Sequence, residues 1–388
     1  MMGAALSSPP LATPVDSICA EITNSTGLPH MWYQQSGPEG ERQDVLVLRG
    51  TFDFGVDGRP MKLAAVQRPI VYGDATDSRV PGHLIRSVIV DDGDLVPYKP
   101  CTDILVTGCA SAPDSKPTKN WVAAIRVGNI KKALRLHGPR EFKHSAMGWT
   151  VGATAPVTSV PLDYRLAFGG CIDVPAELTT DGEPDWVRLR SNPAGSGWLP
   201  RPENISKLAK SARSHVEKWI QSQKVLAAPQ IEDAFVPVRN PYSNAAPAGM
   251  AAIARWWAPR VGLQGKFDDE WRRVRYPLLP KDFNARYFQC ASAGLVASPH
   301  LAGDETVTMV GLLPQRREMQ LPCWGIIVGA IRASGDIAIY RALLDTVRFD
   351  LTSQQASLVW RIPFGYEDPV VEIALGALST GRIDGRWP

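Results

Sequence analysis

His215, Val216 and Glu217 form an HxE triplet, the spacing with which a zinc deaminase sets a metal-ligating histidine beside a proton-shuttling glutamate. Such a site also takes a PCxxC pair. Pro100-Cys101 and Pro322-Cys323 begin that pattern, but neither has a second cysteine at the required distance. His215 and Glu217 also fall inside an amphipathic stretch, so they read as exposed helix residues. The chain contains no HExxH, GxSxG, GxGxxG or P-loop motif, which removes the defining residues of zincin, α/β-hydrolase, dinucleotide and phosphate-loop chemistry. Ser196, flanked by glycines in NPAGSGW, reads as a turn residue rather than a nucleophile. His137 and His144 are seven apart and Cys101 and Cys109 eight apart, and neither spacing suits structural zinc. The acidic groups Asp268, Asp269 and Glu270, and Asp304 and Glu305, would suit a glycoside hydrolase only as opposed pairs; at turns they read as solvated surface. The residues thus assign no catalytic, cofactor or metal site.

Pro247 to Asp282 holds a different signal. Trp256, Trp257 and Trp271 sit among Arg255, Arg260, Arg272, Arg273 and Arg275. Tryptophan and arginine are the residues most enriched where proteins grip other proteins, and arginine stacks on aromatic faces. The plainer reading makes the tryptophans core and the arginines a solvated rim. Together with Trp219 on the amphipathic stretch, the residues expected to bind a partner are Trp256, Trp257, Arg260, Trp271, Arg272 and Arg273.

At 388 residues the chain has material for two or three cores. Its 44% hydrophobic and 21% charged residues are ordinary for a globular protein. A net charge of +3 argues against a nucleic-acid or membrane-surface partner. The N-terminus lacks the basic region and apolar run of a signal peptide, and no segment has the apolar length of a membrane span. A cytoplasmic location is expected. Cys19, Cys101, Cys109, Cys171, Cys290 and Cys323 are then read as reduced, mostly buried thiols.

Glycine and proline number 33 each, an excess that favours short elements joined by tight turns. Val45–Phe54 reads as a strand turned by Asp57-Gly58 into Met61–Val66. Val122–Val127 and Ile130–Leu136 flank Gly128-Asn129. Trp324–Ile331 turns at Ser334-Gly335 into Ile337–Arg341, and Thr346–Leu351 precedes an alternating run through Leu358, Trp360 and Ile362. Helical periodicity is confined to Ser206–Leu226, where Leu208, Ala212, Val216 and Trp219 draw one stripe, and to a short element at Ala248–Trp257. The fold class expected is mainly β, with antiparallel hairpin-rich sheets, sandwich or barrel-like, in two halves. A flexible lead (1–18) precedes an N-terminal β subdomain (19–170). A Pro-rich connector (171–264) carries a helical insertion (206–226), and a C-terminal β subdomain (265–388) follows.

An ordered series of strings carries a resemblance: VLVLRGTFDFGVDGRP, DLVPYKPCTDILVTGCASAP, RVGNIKKALRLHGPREF, PLDYRLAFGG, NPAGSGW, the Trp/Arg segment through FQCA, LAGDETVTMVGL and LLDTVRFDLTSQQASLVWR. Over roughly residues 40 to 365 the chain resembles a bacterial family long classed as a domain of unknown function and encoded beside type VI secretion spike proteins. The resemblance implies an effector adaptor or chaperone, with a secreted toxic effector and the spike trimer protein as partners, no cofactor and no catalytic residues. Phe168-Gly169-Gly170, Asn192-Pro193 and Asp282-Phe283 then serve structure. The span from Trp198 to Pro229 is longer than the family pattern, and Ala228-Pro229-Gln230 stands where Leu-Pro-Asn is usual, which marks an insertion suited to reading a particular effector. The function expected is a non-enzymatic adaptor that binds a type VI effector in the cytoplasm and helps load it onto the spike. The alternative is a β-sandwich protein that binds or cleaves glycans through some of its 12 tryptophans.

Overall fold

The computed structural model describes residues 20–77, 83–180, 183, 185–365 and 367–379. The expected flexible lead at 1–18, and Cys19, lie outside them. The chain is mostly β, and the four hairpins read from the sequence are formed. At the first turn Asp57 and Gly58 both take positive φ, 53° and 75°, the left-handed geometry that Asp-Gly tolerates.

The largest sheet runs in the order His30–Ser36, Arg42–Asp53, Gln355–Gly365, Leu343–Asp350, Thr102–Thr107 and Val296–Ala297, with Lys62–Leu63 added to Arg42–Asp53. All of its pairs are antiparallel except Leu343–Asp350 with Thr102–Thr107, which is parallel. A second sheet orders Ile231–Asp233, Ile130–His137, Asn120–Val127, Thr306–Val310 and Arg317–Gln320. A third orders Glu21–Asn24, Val370–Ser379, Trp324–Arg332 and Ile337–Arg341. Among the described residues no sheet closes into a barrel.

Pairing crosses the expected subdomain boundaries. Arg42–Asp53 lies against Gln355–Gly365, and Asn120–Val127 against Thr306–Val310. One hydrophobic cluster accordingly reaches from Ala20 to Leu375. The middle of the chain has a smaller core of its own, built from Phe142, Phe168, Ile172, Val187, Trp198 and Val216.

Two helical expectations change. The amphipathic helix spans Lys210–Ser222, shorter than Ser206–Leu226, because Val225–Ala227 leaves it as a strand paired with Glu141–Lys143. Ala248–Trp257 is not helical. Its peptide groups are drawn to neighbouring chain instead: the Val106 N–H donates to the Met250 carbonyl (2.9 Å), and the Ile253 N–H to Cys290 (2.8 Å). Small residues let this extended run thread the core, where Ala251, Ala252 and Ala254 are buried. At Gly249 a Cβ would stand 2.6 Å from the Tyr164 ring, so only glycine fits that approach. The helix in this region forms further on, at Asp269–Val274.

Candidate functional site

The Trp/Arg segment divides in two. In its first part Trp257 is fully buried: its indole N–H donates to the Ile85 carbonyl (2.8 Å) and its ring meets Tyr164 edge-on at 5.8 Å. Arg260 is buried beside it. Its guanidinium donates to the carbonyls of Tyr287 (2.9 Å) and Ile253 and lies over the Tyr287 ring. Trp256 is half-buried against the same core. These side chains satisfy the backbone carbonyls of Ile85, Ile253 and Tyr287 and so tie the run to neighbouring segments, which is structural work.

The second part projects. Asp268 caps the Asp269–Val274 helix by accepting the Trp271 N–H (2.9 Å), and Asp269 pairs with Arg272 (3.1 Å), both favourable at a helix start. The acidic run therefore does capping chemistry. In the same way Glu305 accepts the N–H groups of Ala302 (2.7 Å) and Gly303 (3.0 Å) at a turn. Trp271 is held by its indole N–H on the Leu278 carbonyl (2.8 Å) and lies edge-on between Phe267 at 4.8 Å and Tyr276 at 5.6 Å. Around it Phe267, Val274 and Tyr276 are 47%, 66% and 69% exposed, and Arg272 and Arg273 are exposed beside them. Arg275 fastens this knob to the body through Glu39 (2.7 Å) and the Pro38 carbonyl (3.1 Å). That hydrogen bond from Arg275 holds the Glu39 carboxyl below its ordinary pKa.

Trp219 belongs elsewhere. The Lys210–Ser222 helix buries Ala212 and Val216, and Trp219 and Ile220 are half-buried against the smaller core. The stripe thus docks on the protein's own smaller core. On this helix His215 is half-exposed and Glu217 exposed. Among the described residues no group of three His, Cys, Asp or Glu side chains is placed to hold a metal ion. Asn192 is buried, donating to the carbonyls of Tyr164 (2.7 Å) and Phe168 (3.2 Å), and the Asp282 carboxylate accepts the Lys266 N–H (3.0 Å). Cys101, Cys109, Cys171, Cys290 and Cys323 are free, and three of them, Cys101, Cys290 and Cys323, are buried.

Sequence reasoning missed the molecule's main concentration of charge. One face of the large sheet carries the apolar Leu46, Leu48, Phe52, Leu358 and Trp360. The alternate positions put Arg49, Thr51, Asp103, Thr346, Arg348, Ser357 and Arg361 on the other, which is also buried. The segment from Asp91 to Lys99 covers that face and brings Asp91, Asp92, Asp94 and Lys99 to it. Arg49 pairs with Asp94 (2.9 Å), Lys99 with Asp103 (2.8 Å), Arg361 with Asp345 (3.0 Å), and Arg348 with Asp91 and Asp92. Burial opposes the charge on Lys99, but Asp103 and its neighbours hold its pKa above the ordinary value. The Cys290 thiol is pushed by burial up to about 12. Apart from Asp91, whose side chain is 34% exposed, these charges are buried and paired with one another, the arrangement of a polar core. The available signal was an arginine inside an otherwise apolar strand, VLVLRGTF.

The chain is thus a mostly antiparallel β body with a buried ionic network and an exposed aromatic cluster around Trp271. A family model described as an uncharacterized protein conserved in bacteria (DUF2169) matches residues 39–361, and the chain belongs to that family. No curated protein and no solved structure matches it. Among the described residues no helix is long and apolar enough to cross a membrane.

Proposed function

We propose that the protein is a non-enzymatic adaptor that binds a secreted effector of a type VI system and helps load it onto the spike trimer. The observation that carries this reading is the knob: Trp271 clamped between Phe267 and Tyr276, with the exposed Arg272 and Arg273 at its rim and the exposed Val274 beside them. A preorganised tryptophan ringed by arginines matches the centre of a protein interface, where single residues contribute about 2 kcal/mol or more. Coverage of that apolar surface by cargo suits a holding role.

The test is co-purification of the chain with co-expressed type VI effectors. Trp271→Ala combined with Arg273→Glu is expected to abolish capture while the chain keeps its β-rich far-UV spectrum and a cooperative melt, and Arg273→Glu alone, at an exposed position, to weaken capture with the melting temperature unchanged. Full retention of cargo by the double variant would overturn the assignment of the knob, and binding of peptidoglycan sugars instead of any effector would favour the glycan reading.

A further inference from the structure

The third sheet ends in a strand that nothing covers among the described residues. Ile337–Arg341 pairs on one side with Trp324–Arg332 and terminates the strand order. The hydrogen-bond phase of this pairing is fixed at its ends: the Ala342 N–H donates to the Ile326 carbonyl (2.9 Å), and the Arg332 N–H to the Asp336 carbonyl (2.9 Å). In an antiparallel ladder, alternate residues bond to a given neighbour. Ala338 and Tyr340 therefore face inward to Trp324–Arg332. Ile337 and Ile339 turn their N–H and C=O groups outward, and no hydrogen bond among the described residues uses them.

The same two residues carry the exposed side chains. Ile337 is 75% and Ile339 77% exposed, whereas Tyr340 packs edge-on to Phe364 at 5.3 Å on the core side. Behind the isoleucines the sheet surface is low, with Gly329 opposite Ile339 and Ala374 and Gly376 on the next strand. A Cβ at Gly376 would meet nothing within 4 Å. Edge strands are ordinarily guarded by proline, a bulge or a charge at the free positions; here two of the three hold β-branched apolar residues, and the third is Arg341, whose guanidinium donates to the Ala302 carbonyl (3.1 Å).

We infer that this edge is a second binding site, which takes an extended segment of the cargo polypeptide as an added strand. The inference rests on the adaptor reading and deepens it by naming the form of the cargo segment. Main-chain groups of Ile337 and Ile339 pair with the segment's backbone, and apolar side chains at its alternate positions lie beside the two isoleucines. A second copy of the chain is the poorer occupant. Two five-residue strands bury a small part of the roughly 800 Å² per partner that a stable dimer takes.

The test uses the full chain and a labelled synthetic heptapeptide of alternating valine and threonine with lysine ends, read by fluorescence anisotropy and by amide hydrogen exchange. Ile339→Pro removes only an outward N–H, which an edge strand tolerates, and is expected to weaken peptide binding at least about tenfold with an unchanged melting temperature. The same peptide N-methylated at alternate amides is expected to lose binding to the unaltered protein by a similar factor, a result that does not depend on the variant folding. Slowed exchange at the Ile337 and Ile339 amides on adding peptide supports the site. Protection of those amides in the free protein, whether dilution-independent (cover by the chain itself) or concentration-dependent (a second copy), would overturn it, as would equal binding of the methylated peptide. Cargo retained by Ile339→Pro but lost with the knob variant would sink the edge and spare the adaptor. Peptide bound at the edge by a protein that captures no effector would do the reverse.

Discussion

Asp103 shows how much one side chain carries in this protein. Its carboxylate accepts from the Lys99 ammonium (2.8 Å), the Gln289 amide (3.1 Å), and the backbone N–H groups of Cys290 (2.9 Å) and Ala291 (3.1 Å). Thr346 completes the Lys99 site with a hydroxyl at 2.8 Å. Around them four cations, Arg49, Lys99, Arg348 and Arg361, meet five carboxylates, Asp91, Asp92, Asp94, Asp103 and Asp345, so the buried charge is nearly balanced. Removing one partner of a buried pair leaves an uncompensated charge and costs about 3–5 kcal/mol. Asp103→Ala is expected to cost that much in urea unfolding. Replacing both partners, Lys99→Met with Asp103→Leu, is expected to cost less than the single change, because no charge is then stranded. A loss below about 1 kcal/mol for Asp103→Ala would mean that the network contributes little.

At the scale of elements, legibility followed the range of the interactions. Hairpins were readable because turn residues and alternation lie side by side in sequence, as at Asp57-Gly58 and Ser334-Gly335. The run Ala248–Trp257 was misread because its small apolar residues suit a helix, while the groups that claim its backbone, at Val106 and Cys290, lie far away in sequence. The ionic face was missed for the same reason: Arg49 and Arg361 look like isolated charges until the segment Asp91–Lys99 folds over them. The knob was visible as composition, but its division from the buried Trp257 and Arg260 depends on tertiary packing. The Lys210–Ser222 helix allows a direct test of interface against core. Trp219 lies half-buried on Phe168 and Ile172's cluster, so Trp219→Ala is expected to lower the melting temperature, at about 3 kcal/mol or somewhat less for a partly buried tryptophan, and to leave effector capture intact in the folded fraction. Loss of capture with an unchanged melt would move the helix to the binding surface.

For the whole molecule, the decisive feature is that distant parts of the chain share one core. Arg49 and Ser357, 308 residues apart in sequence, touch within the same sheet. Thr102–Thr107 depends on Leu343–Asp350 for one neighbour and Val296–Ala297 for the other. Neither the segment 19–170 nor the segment 265–388 can complete the large sheet, and separating them strips Arg348 of its partners Asp91 and Asp92. Such unpaired edges and stranded charges favour the unfolded state. The expectation is that each segment expressed alone gives a coil-like far-UV spectrum without a cooperative melt, and that mixing the two without the middle does not restore one. The intact chain should refold slowly, on the millisecond-to-second scale or beyond, as its non-local pairing demands. A cooperative thermal transition in the isolated 19–170 segment would show that the N-terminal strands form an independent domain, and that the shared core is an association of two finished parts rather than a single folding unit.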